Sequence, residues 1–141
     1  MDAMQDHYSL SDDEFAEQFR TATLNPAYFT HEAHLRLAFI LIKHHGIEGA
    51  MDQLCRQIAH FDQTFGDGTK FHKTVTIAAA KAVHHFMGRS SAKSFPELIA
   101  EFPRLNTNFK DLLACHYGFD IFSNPEAKRT FVEPDLLPFE A

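Results

Sequence analysis

The sequence predicts an all-α fold, an irregular bundle of five to seven helices in a single domain. Three observations carry this. Ser11-Asp12-Asp13-Glu14 and Ser94-Phe95-Pro96-Glu97 read as capping boxes, and Thr30 reads as a third N-cap. Glycine or proline stands at most points where a helical pattern stops. Between these signals apolar residues recur at three- and four-residue spacing, and no segment shows the two-residue alternation of a strand.

The elements follow in order. The first helix opens at the Ser11 box, carries Phe15, Phe19 and Ala22 on one stripe, and ends at Asn25-Pro26, since a residue before proline is driven out of helical geometry. The second runs from about His31 to His45, with Gly46 as its stop. The third follows at once, and Met51, Leu54, Cys55, Ile58 and Phe65 mark its inner face. Gly66-Asp67-Gly68-Thr69-Lys70 is a loop. The fourth helix spans about Phe71 to Met87, stopped by Gly88, and Arg89 to Lys93 is a second loop. The Ser94 box opens a short fifth helix that ends at Pro103, and a sixth covers about Thr107 to Tyr117, closed by Gly118. Asn124-Pro125 starts a last short helix. Residues 1–10 read as a flexible tail and residues 134–141 as an extended one.

With 141 residues, the chain has the size of one domain and can bury a core without metal or disulfide staples. A formal charge of −6 and the lack of a basic stripe argue against nucleic acid or an anionic membrane as partner. No apolar run approaches the ~18 residues of a membrane span, and the polar start is not that of a signal peptide. Cys55 and Cys115 fall in helical patterns and read as buried free thiols, so a reducing cytoplasm is the expected compartment.

The 10 histidines are the chemical feature that needs placing. His7 lies in the N-terminal tail. His44, His45, His84 and His85 fall at helix C-termini, where imidazole suits the macrodipole and the free carbonyls. His60 lies opposite the apolar stripe of its helix. Four remain. At ~100° per residue, His31 and His34 group with Leu37, Ala38 and Leu41, away from Glu32, Arg36 and Lys43. His72 groups with Val75, Ala79, Val83 and Phe86, and His116 with Phe109, Leu112 and Leu113.

His31, His34 and His72 are the candidate metal- or ligand-binding set, with His116, Thr76 and Tyr117 as additional candidates. His31 and His34 stand at i and i+3, and His31 and His72 each sit in a first helical turn, so their rings are expected around one cavity. Neutral imidazole is a ligand for transition metals such as zinc, iron or nickel, and three histidines with an open position make a catalytic type of shell. Glu-x-x-His on paired helices, His-Glu-x-x-His and His-Asp are all absent. Without a metal, the same rings serve as acid, base or polar anchor in a small-molecule pocket.

Phe29-Thr30-His31-Glu32-Ala33-His34-Leu35-Arg36-Leu37-Ala38 resembles the Phe-Thr-His-x-x-His-Leu-x-x-Ala block of a small bacterial family of uncharacterised helical proteins. Phe71-His72-Lys73-Thr74-Val75-Thr76 is similar to its aromatic-His-x-Thr-x-Thr block, and Phe131 to Leu136 to its C-terminal Pro-Asp-Leu block. The resemblance implies no activity; it singles out His31, His34 and His72. The family pattern has tyrosine where this chain has Phe71, so no phenol stands there. The leading expectation is a small metal-dependent enzyme or small-molecule sensor with a histidine-lined pocket. The alternative is a non-catalytic interaction module, binding a protein partner or a second copy, with structural histidines in its core.

Overall fold

A computed structural model describes residues 6–139; residues 1–5 and 140–141, the outer parts of the two expected tails, lie outside the described residues. Among the described residues there are seven α-helices and no strand: α1 (Asp12–Arg20), α2 (His31–Phe65), α3 (Lys73–Met87), α4 (Phe95–Glu101), α5 (Arg104–Thr107), α6 (Phe109–Ala114) and α7 (Pro125–Arg129). The all-α bundle is as the sequence predicts.

The capping box of α1 is reciprocal. Ser11 Oγ accepts from Glu14 N, and Glu14 Oε1 accepts from Ser11 N. Phe15 and Phe19 are fully buried, each contributing roughly 2–3 kcal/mol of apolar burial. The helix stops at Arg20, short of the expected Asn25-Pro26. Ala22 takes φ 57°, and the Thr23 and Leu24 amides both turn back to Gln18 O, which lets Leu24 enter the core.

Thr30 caps α2 by accepting from Ala33 N. Gly46, read as a stop between two helices, is a kink inside one continuous run: its φ of 76° and ψ of 173° break the helical path between two arms. Only glycine takes that conformation freely, and a Cβ there would meet no atom within 4 Å, so the requirement is purely one of backbone. Phe65, expected on the inner face, is 44% exposed.

α3 packs along α2, and its Ala78, Ala79 and Ala80 are all fully buried, so its middle is enclosed on more than one side. It starts at Lys73 rather than Phe71 because His72 is its N-cap. At α4, Ser94 Oγ accepts from Glu97 N, but Glu97 Oε1 takes the Lys93 amide instead of Ser94's own, so the box is half formed. The expected fifth helix ends at Glu101; α5 follows it as a short helix that the sequence pattern does not separate, and after the break at Asn108 (φ −132°, ψ 39°) the expected sixth helix is α6, which ends at Ala114, before Tyr117.

Both tails dock where they are described. Residues 7–9 form a turn of 3-10 helix, and His7 is buried. Its anchor is Arg36, which the helical wheel places on the wet face of α2 but which is 4% exposed. The guanidinium donates from Nε and Nη2 to Asp12 Oδ1 (3.0 and 2.8 Å), from Nη1 to His7 O (2.6 Å) and from Nη2 to Leu10 O (2.9 Å). The face is polar, as the wheel reads it, but the N-terminal segment covers it. At the other end, Leu136 N donates to His116 O, Gly118 N donates to Asp135 Oδ1, and Phe139 is buried.

Candidate functional site

The first turn of α2, its last two turns and the first turn of α3 meet around a cavity of about 420 Å³. Phe29, Phe61, Phe65 and Phe71 supply much of its apolar wall, with Val75 behind them. His34, His72, Asp62 and Thr76 bring polar atoms to it. The aromatic wall is pre-packed: Phe61 stacks on Phe19 at 4.6 Å, and Phe29 lies 5.4 Å from Phe61 and 5.9 Å from the His34 ring.

His34 is the atypical member. It is half-buried overall, yet its Nε2 is shielded from water and has no hydrogen-bond partner. Burial, and then the neighbouring His31, push its pKa down to about 4, so the ring is neutral at physiological pH. A buried ring nitrogen without a partner costs roughly 1–3 kcal/mol of desolvation, and such an atom in a folded protein calls for an explanation.

His72 shares the cavity but is fully engaged. Its Nδ1 accepts from Val75 N at 3.1 Å, capping α3. That leaves Nε2 to carry the proton, which it donates to Ile121 O at 2.7 Å. Burial, its largest cause, lowers the His72 pKa. Neither ring nitrogen remains for a ligand.

His31 does not join them. It is exposed, its Nε2 lies 3.1 Å from Leu105 O, and its ring packs on Phe109 at 4.7 Å. It borders a neighbouring cavity of about 390 Å³ with Asn106, Asn108 and Phe122; Val75 borders both spaces. The expectation of three rings around one cavity is therefore corrected to two. Residues at i and i+3 share a helix face but are displaced along the axis by ~4.5 Å, enough here to send them to adjacent spaces.

Of the additional candidates, only Thr76 lines the His34 cavity, and it is buried. Tyr117 is buried elsewhere, its hydroxyl donating to Val132 O at 2.7 Å, and burial raises its pKa. His116 donates from Nδ1 to Leu137 O at 2.7 Å and stacks on Phe139 at 4.1 Å, so it holds the C-terminal segment. Both cysteines are free thiols; Cys55 is half-buried, whereas Cys115, expected inside, is exposed because α6 ends one residue before it.

Asp62 is a site residue that sequence reasoning missed. Its Oδ2 accepts from Lys70 N (2.7 Å) and Phe71 N (3.0 Å), shaping the loop that leads into α3. A Cβ on Gly66 would stand 2.5 Å from Asp62 Oδ1, so that glycine keeps room for the carboxylate. An acidic residue four places before a loop glycine was the available signal.

Among the described residues no group of three or more His, Cys, Asp or Glu side chains is placed to hold a metal ion, and the saturation of His72 gives the reason at the expected centre. Nor, among them, is any helix long and apolar enough to cross a membrane. No family model matches the chain, and neither a curated protein nor a solved structure matches it significantly.

Proposed function

We propose that the protein binds a small, largely apolar, uncharged aromatic molecule in the cavity between α2 and α3, with His34 Nε2 as the polar anchor. The observation that carries this reading is the unpartnered, neutral His34 nitrogen set in a wall of phenylalanines. Apolar pockets with one or two placed polar atoms are the usual form of small-molecule sites. Asp62 and Lys70 both line the wall, so it carries no net charge, which favours a neutral ligand. A histidine with a pKa of about 4 is a weak base at neutral pH, so binding or sensing suits His34 better than proton transfer.

Phenol is the matching probe, because its hydroxyl can both donate and accept, whichever tautomer His34 holds. Titrated into ¹⁵N-labelled protein, it should shift the amides of Phe29, His34, Phe61 and Thr76, and His34→Leu should weaken that binding about tenfold, the worth of one good hydrogen bond. No saturable shift at these residues, or equal binding by His34→Leu, would overturn the proposal.

A second reading, an interaction module, draws on one observation. Leu136 packs over Gly118 yet is 60% exposed, and the adjoining Phe119 is 38% exposed. Sedimentation of the full chain and of Leu136→Asp tests it: a dimer that the substitution dissociates supports that reading, and a monomer in both removes self-association.

A further inference from the structure

Asp62 brings a second polar group to the cavity between α2 and α3. It sits in the last turn of α2, lines the wall and is only 9% exposed. Its two carboxylate oxygens are not equivalent. Oδ2 accepts from Lys70 N and Phe71 N, so its lone pairs are spent on the loop. Oδ1 accepts no hydrogen bond from the described residues, yet it is not shut away as His34 Nε2 and Gln57 Oε1 are, the two unpartnered polar atoms closed off from contact.

Oδ1 is the oxygen that Gly66 leaves uncovered. A Cβ at position 66 would stand 2.5 Å from it, and Gly66 lines the same cavity. The carboxylate cannot swing freely, because two consecutive amides hold Oδ2. The loop that carries those amides is braced in turn: Asp67 Oδ1 accepts from Thr69 N at 3.0 Å and from Thr69 Oγ1 at 2.6 Å, and Lys128 Nζ donates to Thr69 O. Oδ1 is thus a lone-pair group of fixed direction. A carboxylate oxygen only accepts, so what meets it must be a donor.

We propose that the ligand of this cavity is a planar, uncharged aromatic molecule bearing an N–H on one edge, of indole or arylamine type, and that Asp62 Oδ1 accepts that N–H. This rests on the reading that the cavity binds a small aromatic molecule, and it adds a donor besides the group that meets His34. Hydrogen bonds to an ionised acceptor are the stronger kind, so the contact selects rings that carry an N–H from rings of the same shape that do not. Phe65 supplies a ring face beside it: it packs on Phe61 at 4.8 Å, and its 44% exposure leaves aromatic surface for a planar ligand to cover. The donor belongs to a neutral group because Lys70 balances Asp62 at the wall.

Indole and benzofuran are the probes, planar rings of nearly equal shape that present an N–H and an ether oxygen at the same position. Titrated into the ¹⁵N-labelled full chain, indole should bind about tenfold more tightly than benzofuran and shift the amides of Asp62, Gly66 and Phe71. Asp62→Asn keeps an oxygen for Lys70 N and Phe71 N and turns an NH₂ toward the cavity, so the indole preference should vanish or invert there. His34→Leu should leave the preference in place. Equal binding of the two probes by wild type overturns the proposal whether or not Asp62→Asn folds. So does a preference that survives Asp62→Asn, or one that His34→Leu abolishes, which would put the N–H on His34. Phenol separates the failures: phenol bound without an indole preference overturns the Asp62 contact alone, whereas no saturable binding of phenol, indole or benzofuran overturns the small-molecule reading with it.

Discussion

His34 and His72 line the same cavity, yet His72 has both ring nitrogens hydrogen-bonded whereas His34 keeps a buried Nε2 without a partner. His72 is committed to Val75 N and Ile121 O, closing the first turn of α3 onto the segment before α7. One histidine is thus a brace and the other the anchor of the proposed ligand, although both sit near helix N-termini.

The state of His34 links stability to pH. Its folded pKa of about 4 lies below the unfolded value of 6.5, so between these values the unfolded chain takes up a proton that the folded chain refuses. The stabilisation is fully present above pH 6.5 and is lost as pH falls toward 4, by up to about 3 kcal/mol. The lowered values of His7 and His72 act in the same direction. Urea melts of wild type and His34→Leu across pH 4 to 7 should show a shallower acid slope in the variant. At pH 7 the variant should be more stable by about 1 kcal/mol, because an unsatisfied polar atom is gone.

His72→Ala should cost about 2 kcal/mol, one part from the lost N-cap and one from the lost bond to Ile121 O. His72→Asn keeps a good capping residue but is too short to brace Ile121, so it should recover about half. His60→Ala, on the exposed face of α2, should stay within about 0.5 kcal/mol of wild type. Chemical denaturation of the three variants reads this order directly.

Arg36→Met should destabilise by about 2–4 kcal/mol, since it takes the side-chain donor from Leu10 O, leaves His7 O only the Leu10 amide, and removes the tie to Asp12. Amide hydrogen exchange in residues 7–10 should accelerate more than in α3. Asp12→Asn should cost less, about 1 kcal/mol, because the amide oxygen still accepts and the Asp12 side chain is 59% exposed.

The two glycines flanking the second arm of α2 should fail differently on substitution. Gly46→Ala meets open space but must adopt a backbone conformation nearly confined to glycine, and should cost about 1–3 kcal/mol of strain, with phenol binding unchanged. Gly66→Ala brings a Cβ to 2.5 Å from Asp62 Oδ1. It should displace the carboxylate from Lys70 N and Phe71 N, cost about 1–3 kcal/mol, and weaken phenol binding as well.

Local signals alone determined the all-α class, the caps at Ser11 and Thr30, the break at Gly46 and the short helix after Asn124, because each depends on a few neighbouring residues and their backbone preferences. They also brought His34 and His72 forward, since a helical wheel reports which face a residue occupies. The wheel cannot report what covers that face. Arg36 looked solvated and is buried because a segment from another part of the chain lies over it; His7 looked loose and is buried for the same reason. Whether a ring nitrogen is free depends on carbonyls far away in sequence, Leu105 for His31, Ile121 for His72 and Leu137 for His116. Only the tertiary fold brings those carbonyls to the rings, and it brings none to His34 Nε2.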